Sequence, residues 1–481
     1  MTITRIPEAT TTDGDIEVLL REAKRRSRLR RSAIVAAVLA AVTALVLVLT
    51  GVSSARPSHG STHASPLKAV PIAPGTIRPV GFPSSGANVG FYNVSCASGS
   101  ACIVVGRISR RSYAVGPQKP ADASNAAWRY KLGTWHRIAS PLWTNLDGPG
   151  PLSCPTASFC VMASNHLAST RGAQLHASVQ VLANGRWTEE RTPSPSRWSH
   201  TRLQAVDCVS TGWCMAVGRG SRLPDSFISY SDVYHNGRWT LLPIPPAPAQ
   251  VEPGFPTEDV NAVSCTSPTF CLAVGDAPGS NASIATADSY NGQSWTPVAV
   301  PRLQASELGR PTLGVGNKAL PWNQSLTGVA CATPTDCAIT GEFYNDGDIN
   351  SIGGSFVMHF DGTTMSEQLL FAKGPNDGHQ DGALSGIACT SKSRCASYVL
   401  PFGYNPEIAE RFDAVQLDHV GWYTSSRTYV KGQFAMPSDI SCLSNGRCLI
   451  VGAIEQSVPV SPTYPEGRTS PLVLAATARP L

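Results

Sequence analysis

Seven pairs of cysteines, each pair separated by five residues, hold all 14 thiols of the 481-residue chain. Cys96 stands with Cys102, Cys154 with Cys160, Cys208 with Cys214, Cys265 with Cys271, Cys331 with Cys337, Cys389 with Cys395 and Cys442 with Cys448. Paired thiols can oxidise to a disulfide or, as thiolates, bind zinc. Zinc needs four ligands, and no second Cys or His pair recurs within each repeat to complete them. Disulfides are therefore expected, one per repeat. Closing so small a loop contributes only about 2 kcal/mol per bridge.

Other residues with chemical potential are sparser. Arg107, His166, Arg219, Asp276 and Glu342 each stand just beyond a second apolar run, where they are candidate ligand-binding residues ringing a channel mouth. Plain solvation of a strand end is the alternative for them. Asp346, Asp348 and Asn350 alternate like the first ligands of a calcium loop, but the distal Glu of such a loop is missing and Asp346-Gly347 is an ordinary turn pair. No cofactor is assigned, calcium being the one weak candidate. Ser/His/Asp and Gly-rich phosphate motifs lack the strand–turn–helix context they need, so no catalytic residue is assigned.

The elements that position these residues follow from the repeat. Successive first cysteines lie 58, 54, 57, 66, 58 and 53 residues apart. Such a period means stacked supersecondary units, none able to bury its apolar face alone. The runs are short, rich in Val, Ile, Ala and Thr, and split by turn residues, which predicts strands. The fourth copy predicts strands over Asn261–Cys265, Cys271–Asp276, Ser283–Tyr290 and Ser294–Val300, with Asn291-Gly292 turning the last hairpin through positive φ. Four strands per unit and seven units predict an all-β, seven-bladed β-propeller with one Cys pair per blade. A β-solenoid is the competing repeat fold. The seventh copy contains three convincing strands, so one strand within 67–83 is expected to complete it.

Residues 1–31 carry eight basic and five acidic groups, so +3 of the formal +5 sits there and +2 remains for the rest. A nearly neutral bulk argues against nucleic acid as partner. Ser32 to Ala55 is free of charge and long enough for one transmembrane helix. The organisation expected is a cytoplasmic basic tail (1–31), a transmembrane helix (32–52), an extracytoplasmic linker (53–66) and the propeller (67–481). Cleavage after Ala55 as a signal peptide is the alternative. Either route places the repeats outside the cytoplasm, where disulfides form. The ectodomain is expected to be a monomer with a protein or glycan partner.

Two further marks recur. A Gly follows the second Cys by four residues at Gly106, Gly218, Gly275, Gly341 and Gly452, with Ser164 and Val399 departing from the pattern. A Trp follows the late turn at Trp135, Trp187, Trp239, Trp295 and Trp422, which reads as packing between units rather than a sugar platform. Ser289-Tyr290-Asn291-Gly292-Gln293-Ser294-Trp295, with Asn-Gly-Arg-Trp at 184–187 and 236–239, resembles the Asp-box turn of sialidase-type propellers, with Asn in place of Asp. That resemblance spans about seven residues per blade and implies fold, not catalysis. The whole repeat resembles that of actinobacterial membrane-anchored surface propellers of undefined function. The longest insertions, among them 107–126, 302–323 and 455–469, should all emerge on one face, the expected binding face. A glycoside hydrolase or lyase on the same scaffold is the alternative function, because Asp and Glu occur in those loops.

Overall fold

The computed structural model describes residues 77–79, 81–83 and 88–477, apart from 98–100, 110–123, 142–149, 168–174, 196–199, 224–225, 247–258, 280–281, 304–322, 345–352, 372–382, 392–393, 401–410, 419–420, 429–432, 445–446 and 457–467. The expected membrane helix over 32–52 lies outside the described residues. No described helix is long and apolar enough to cross a membrane. Residues Ala69–Leu481 form one compact unit.

Among the described residues the chain is all-β and forms seven four-stranded antiparallel sheets, a β-propeller in which each sheet holds one disulfide. Sheet 4 shows the pattern: Asp259–Ser267, Phe270–Pro278, Ser283–Tyr290 and Trp295–Pro297, hydrogen-bonded in chain order. The first two strands outrun the boundaries expected from the apolar runs, because ladder pairing continues past the recurrent Gly to Asp259↔Asp276; the third matches its expected bounds, and the fourth is shorter than the expected Ser294–Val300. Sheet 7 is made from both ends of the propeller. Its inner strands are Gln433–Cys442, Arg447–Gln456 and Arg468–Thr477, and Ile77–Pro79 pairs along the last of these from Ile77↔Ala476 to Pro79↔Leu474.

The disulfides join Cys96 to Cys102 in sheet 1, Cys154 to Cys160 in sheet 2, Cys208 to Cys214 in sheet 3 and Cys265 to Cys271 in sheet 4. Cys331 joins Cys337 in sheet 5, Cys389 joins Cys395 in sheet 6 and Cys442 joins Cys448 in sheet 7. Each bridge spans the first and second strands of its own sheet, with Cα atoms 3.9–4.1 Å apart. No free cysteine remains among the described residues, so none is left to act as a zinc ligand. The second cysteine of a pair is the deeper one. Cys102, Cys160, Cys214, Cys271, Cys337, Cys395 and Cys448 are all buried, because the second strand runs between two others of its sheet.

The core is laid down between sheets rather than within them. Val161, Val179 and Val181 of sheet 2 pack on Leu203, Val206, Tyr230 and Trp239 of sheet 3. Val89, Phe91 and Trp128 of sheet 1 pack on Leu449, Val451 and Val473 of sheet 7, so the last sheet lies against the first.

A hydrogen-bond chain runs alongside these cores. The residue before the first Cys of one sheet accepts the backbone N–H of the first Cys of the next. Ser95 takes Cys154 at 2.8 Å, Ser153 takes Cys208 at 2.9 Å, Asp207 takes Cys265 at 2.7 Å and Ser264 takes Cys331 at 3.0 Å. Ser441 takes Cys96 at 2.9 Å and continues the chain from sheet 7 to sheet 1. Ala330 and Ala388 occupy the remaining two positions and have no group to accept with.

The Trp residues also join sheets. Trp187, Trp239 and Trp295 are buried, and their indole N–H groups donate to Ala139 O, Glu190 Oε2 and Ser231 Oγ of the preceding sheet. In sheet 5 the equivalent residue is Met365, likewise buried and paired with Phe360. The recurrent Gly lies opposite a β-bulge in the first strand, as Gly275 does beside the Val260/Ala262 shift. A Cβ there would drive into the Asp259 carbonyl oxygen. Sheet 2 escapes this requirement because its first strand begins only at Leu152, which is why Ser164 fits.

The late turns divide into two kinds. Leu132-Gly133, Asn184-Gly185 and Asn236-Gly237 all have positive φ at both residues, the two-residue hairpin turn. Gly292 and Gly362 are positive alone, and the residue before each folds its side chain over the turn instead. Asn291 Oδ1 accepts the N–H groups of Gln293 and Ser294, both at 3.0 Å. Asp361 Oδ1 accepts those of Thr363 and Thr364 at 2.9 and 2.7 Å. The turns at 184–187 and 236–239 therefore belong to a different class from 291–295, and the carboxylate version is in sheet 5.

Candidate functional site

In the second strands of sheets 1, 2, 3, 4 and 7, side chains one and three residues beyond the Cys fill the seam with the following sheet, as Met215 and Val217 do against Val260 and Val263. The residue five beyond the Cys continues on that side and comes to the long-loop end of the seam. Arg107, Arg219, Asp276 and Glu342 occupy this register position in sheets 1, 3, 4 and 5. They sit inside the second strand, not in the loop after it, because the ladders extend to Ser109, Leu223, Pro278 and Tyr344. His166 is one position further along its strand, with its Cα paired to that of His176. The equivalent residue in sheet 2 is Asn165, whose Oδ1 accepts the Leu203 N–H of sheet 3 at 3.0 Å. Counting from the cysteine would have found it.

Three of the five expected residues converge. Arg219 of sheet 3 pairs through Nη1 with Asp259 Oδ2 of sheet 4, both side chains about one-third exposed. Gln204 Nε2 approaches the other oxygen of Asp259 at 3.5 Å. Asp276 Oδ1 accepts from Asn261 Nδ2 at 3.1 Å and from Ser325 Oγ of sheet 5 at 2.8 Å. Asn261 Nδ2 also donates to Leu326 O at 3.0 Å. Glu342 lies close enough to feel the Asp276 charge. Arg107 is apart from this group: it is buried in sheet 1, 5.6 Å over the Tyr92 ring.

Burial pushes the Asp276 carboxyl above the usual carboxylate range, and Ser325 and Asn261 pull it partly back; Asp259 adds repulsion and Arg219 offsets it. Burial also raises Glu342, with the Asp276 charge adding to the effect. The cluster thus joins one ion pair to two carboxyls that hold protons more tightly than exposed ones, amid amide and hydroxyl groups. Chemically it can accept and donate hydrogen bonds to a polar ligand while binding three sheets together. Asp346, Asp348 and Asn350 lie outside the described residues. Among the described residues no group of three or more His, Cys, Asp or Glu is disposed to hold a metal ion.

No family model matches the sequence, and no curated protein matches it. Among solved structures, the backbone is similar to a GH74 xyloglucanase from Xanthomonas campestris, at 12% identity and TM-score 0.44 over 82% of this chain and 55% of that one. It is also similar to the β-propeller domain of the Trilobed protease from Pyrococcus furiosus, at 5% identity and TM-score 0.42 over 82% and 98%. A third is YCF48 bound to a D1 peptide, at 9% identity and TM-score 0.40 over 86% and 98%. No residue role passes from them to this chain.

Proposed function

We propose that this chain is a membrane-anchored, monomeric β-propeller held outside the cytoplasm, which binds a cell-envelope glycan through the long-loop end of its sheets. The observation that carries this reading is the Arg219–Asp259–Asp276–Glu342 cluster, supported by Gln204, Asn261 and Ser325. Its donors and acceptors are fixed by neighbouring sheets and only partly covered, which suits a ligand recognised by hydrogen bonds. The anchor is supported by the basic run to Arg31, the uncharged stretch after it and the seven disulfides.

Co-sedimentation of the purified full chain with isolated insoluble cell wall tests the binding. The protein should pellet with the wall, and the double variant Asp276→Asn with Glu342→Gln should remain in the supernatant. A wild-type chain that stays in the supernatant contradicts the proposal. Protease added to intact cells should remove the repeats and spare residues 1–31; protected repeats contradict the topology.

A second reading, a glycoside hydrolase or lyase, is favoured by one observation. Asp276 and Glu342 stand on adjacent sheets with raised proton affinity, and a carboxyl that holds its proton is what the general acid of glycosidic cleavage needs. Release of new reducing ends from wall polysaccharide, abolished by Glu342→Gln, supports it; binding without cleavage removes it.

A further inference from the structure

Away from the inner-strand cluster, a polar cavity of about 530 Å³ opens at the same end of sheet 2. It is lined by His176 and Ser178 from the third strand, Glu189 and Arg191 from the fourth, and Thr192 and Ser194 from the connection to sheet 3. That volume falls in the range of about 300–1,000 Å³ typical of ligand pockets. Its floor is built. Ser178 and Thr192 are 2% and 7% exposed.

The floor hydroxyls are held by backbone and by one another. Ser178 Oγ lies 3.0 Å from both Ser164 O and Glu189 Oε1, and its single proton serves one at a time. Thr192 Oγ1 donates to Ala177 O at 3.3 Å, which leaves its lone pairs to accept. Ser194 Oγ is 3.2 Å from Thr201 Oγ1, itself fixed by the Ala177 N–H at 3.0 Å. Among the described residues the exposed rim carries one carboxylate, Glu189, and one guanidinium, Arg191, with His176 beside them.

Charge balance selects the ligand. An anion gains Arg191 but meets Glu189, and a cation gains Glu189 but meets Arg191. A neutral group bearing neighbouring hydroxyls can donate to the carboxylate and accept from the guanidinium at once, with the floor hydroxyls doing either. We infer that this cavity is a binding site for a neutral polyhydroxylated ligand of mono- or disaccharide size. It goes beyond the channel-mouth reading, because it lies on the outer strands of another sheet and the two sites can fail separately.

The test is titration of the purified full chain with maltose, cellobiose and N,N′-diacetylchitobiose, followed by saturation-transfer NMR, with glucosamine and glucuronate as charged comparators. At least one neutral disaccharide should bind. Glu189→Ala and Arg191→Ala should each weaken it about tenfold, equivalent to about 1.4 kcal/mol, without lowering the melting temperature, since both side chains are exposed. The double variant Asp276→Asn with Glu342→Gln should leave this binding unchanged. The inference is overturned if no neutral disaccharide binds or if a charged sugar binds more tightly. It is equally overturned if the Glu189 and Arg191 variants bind like the parent, or if only the Asp276 and Glu342 double variant loses binding.

Discussion

The two ends of the sheets obey different rules. At the cysteine end every sheet repeats one device: a disulfide, then a hydroxyl or carboxylate that reaches the next sheet in five of seven seams. At the long-loop end the equivalent residues are Arg107, Asn165, Arg219, Asp276, Glu342, Leu400 and Ala453, a different chemistry at nearly every position. Uniformity suits a scaffold whose units must stack alike. Variety suits a surface that is read by something else. Residues at the variable end also join sheets, as Asn165 and Arg219 do, so recognition and assembly share the same side chains there.

The contrast can be broken most forcefully at the cysteine end. Trp295→Ala removes a buried ring and its bond to Ser231, and should cost about 3–5 kcal/mol in denaturant unfolding. A cost below about 1 kcal/mol would mean the seams do not depend on these rings.

Between the ends, pH probes buried carboxyls. Burial pushes Asp232, wholly covered in the sheet 2–3 seam, up to about 7, and desolvation does the same to the half-buried Asp439. The unfolded chain releases these protons near pH ~3.9, so the folded state holds more protons between about pH 4 and 7, and stability should fall across that window as pH rises. The loss should be on the order of a few kcal/mol. Asp361, kept low by hydrogen bonds from Thr364 and Thr363, acts oppositely and only below its ordinary range. Asp232→Asn should flatten the slope; an unchanged melting profile from about pH 5 to 8 speaks against the buried-acid account.

Ser153→Ala strips the acceptor from Cys208 and a donor from Asp207, and should cost about 1–3 kcal/mol. The converse change, Ala330→Ser, adds the missing acceptor at the seam of sheets 5 and 6 and should add about 0.5–1.5 kcal/mol. If both substitutions are neutral by chemical denaturation, the hydrogen-bond chain is incidental. Smallest of all, Asp276→Asn combined with Glu342→Gln should change stability by no more than about 0.5 kcal/mol, because it removes charges that burial disfavours.

Much of the scaffold was legible because its signals are local. Cysteine spacing and the Gly four residues on follow from a single sheet's own geometry, and the Trp beside the turn recurs because it fills the same place at successive seams. Several strand ends were drawn too short because polar residues such as Arg107 and Arg219 read as loop, although the ladder carries them. The small residue before each first Cys was visible, but its bond to the next sheet depends on the stagger between units, which one sequence does not display. Asp361 escaped notice because Met365 stands where the Trp marks the other turns. The off-axis cavity was illegible for a similar reason: Ser178, Glu189 and Thr192 are unremarkable singly, and only the fold brings them together. Arg219, Asp276 and Glu342 were visible by type, and counting from the cysteine puts all three at one register position.

Hydrogen–deuterium exchange on the full chain, with and without solubilised wall glycan, tests the division between the two ends most directly. The account predicts added protection over 202–205, 218–220, 259–262, 275–277 and 323–328, with the cysteine-end segments 154–160, 208–214 and 265–271 unchanged. Protection gained at those cysteine segments, with the long-loop end unaltered, would contradict it.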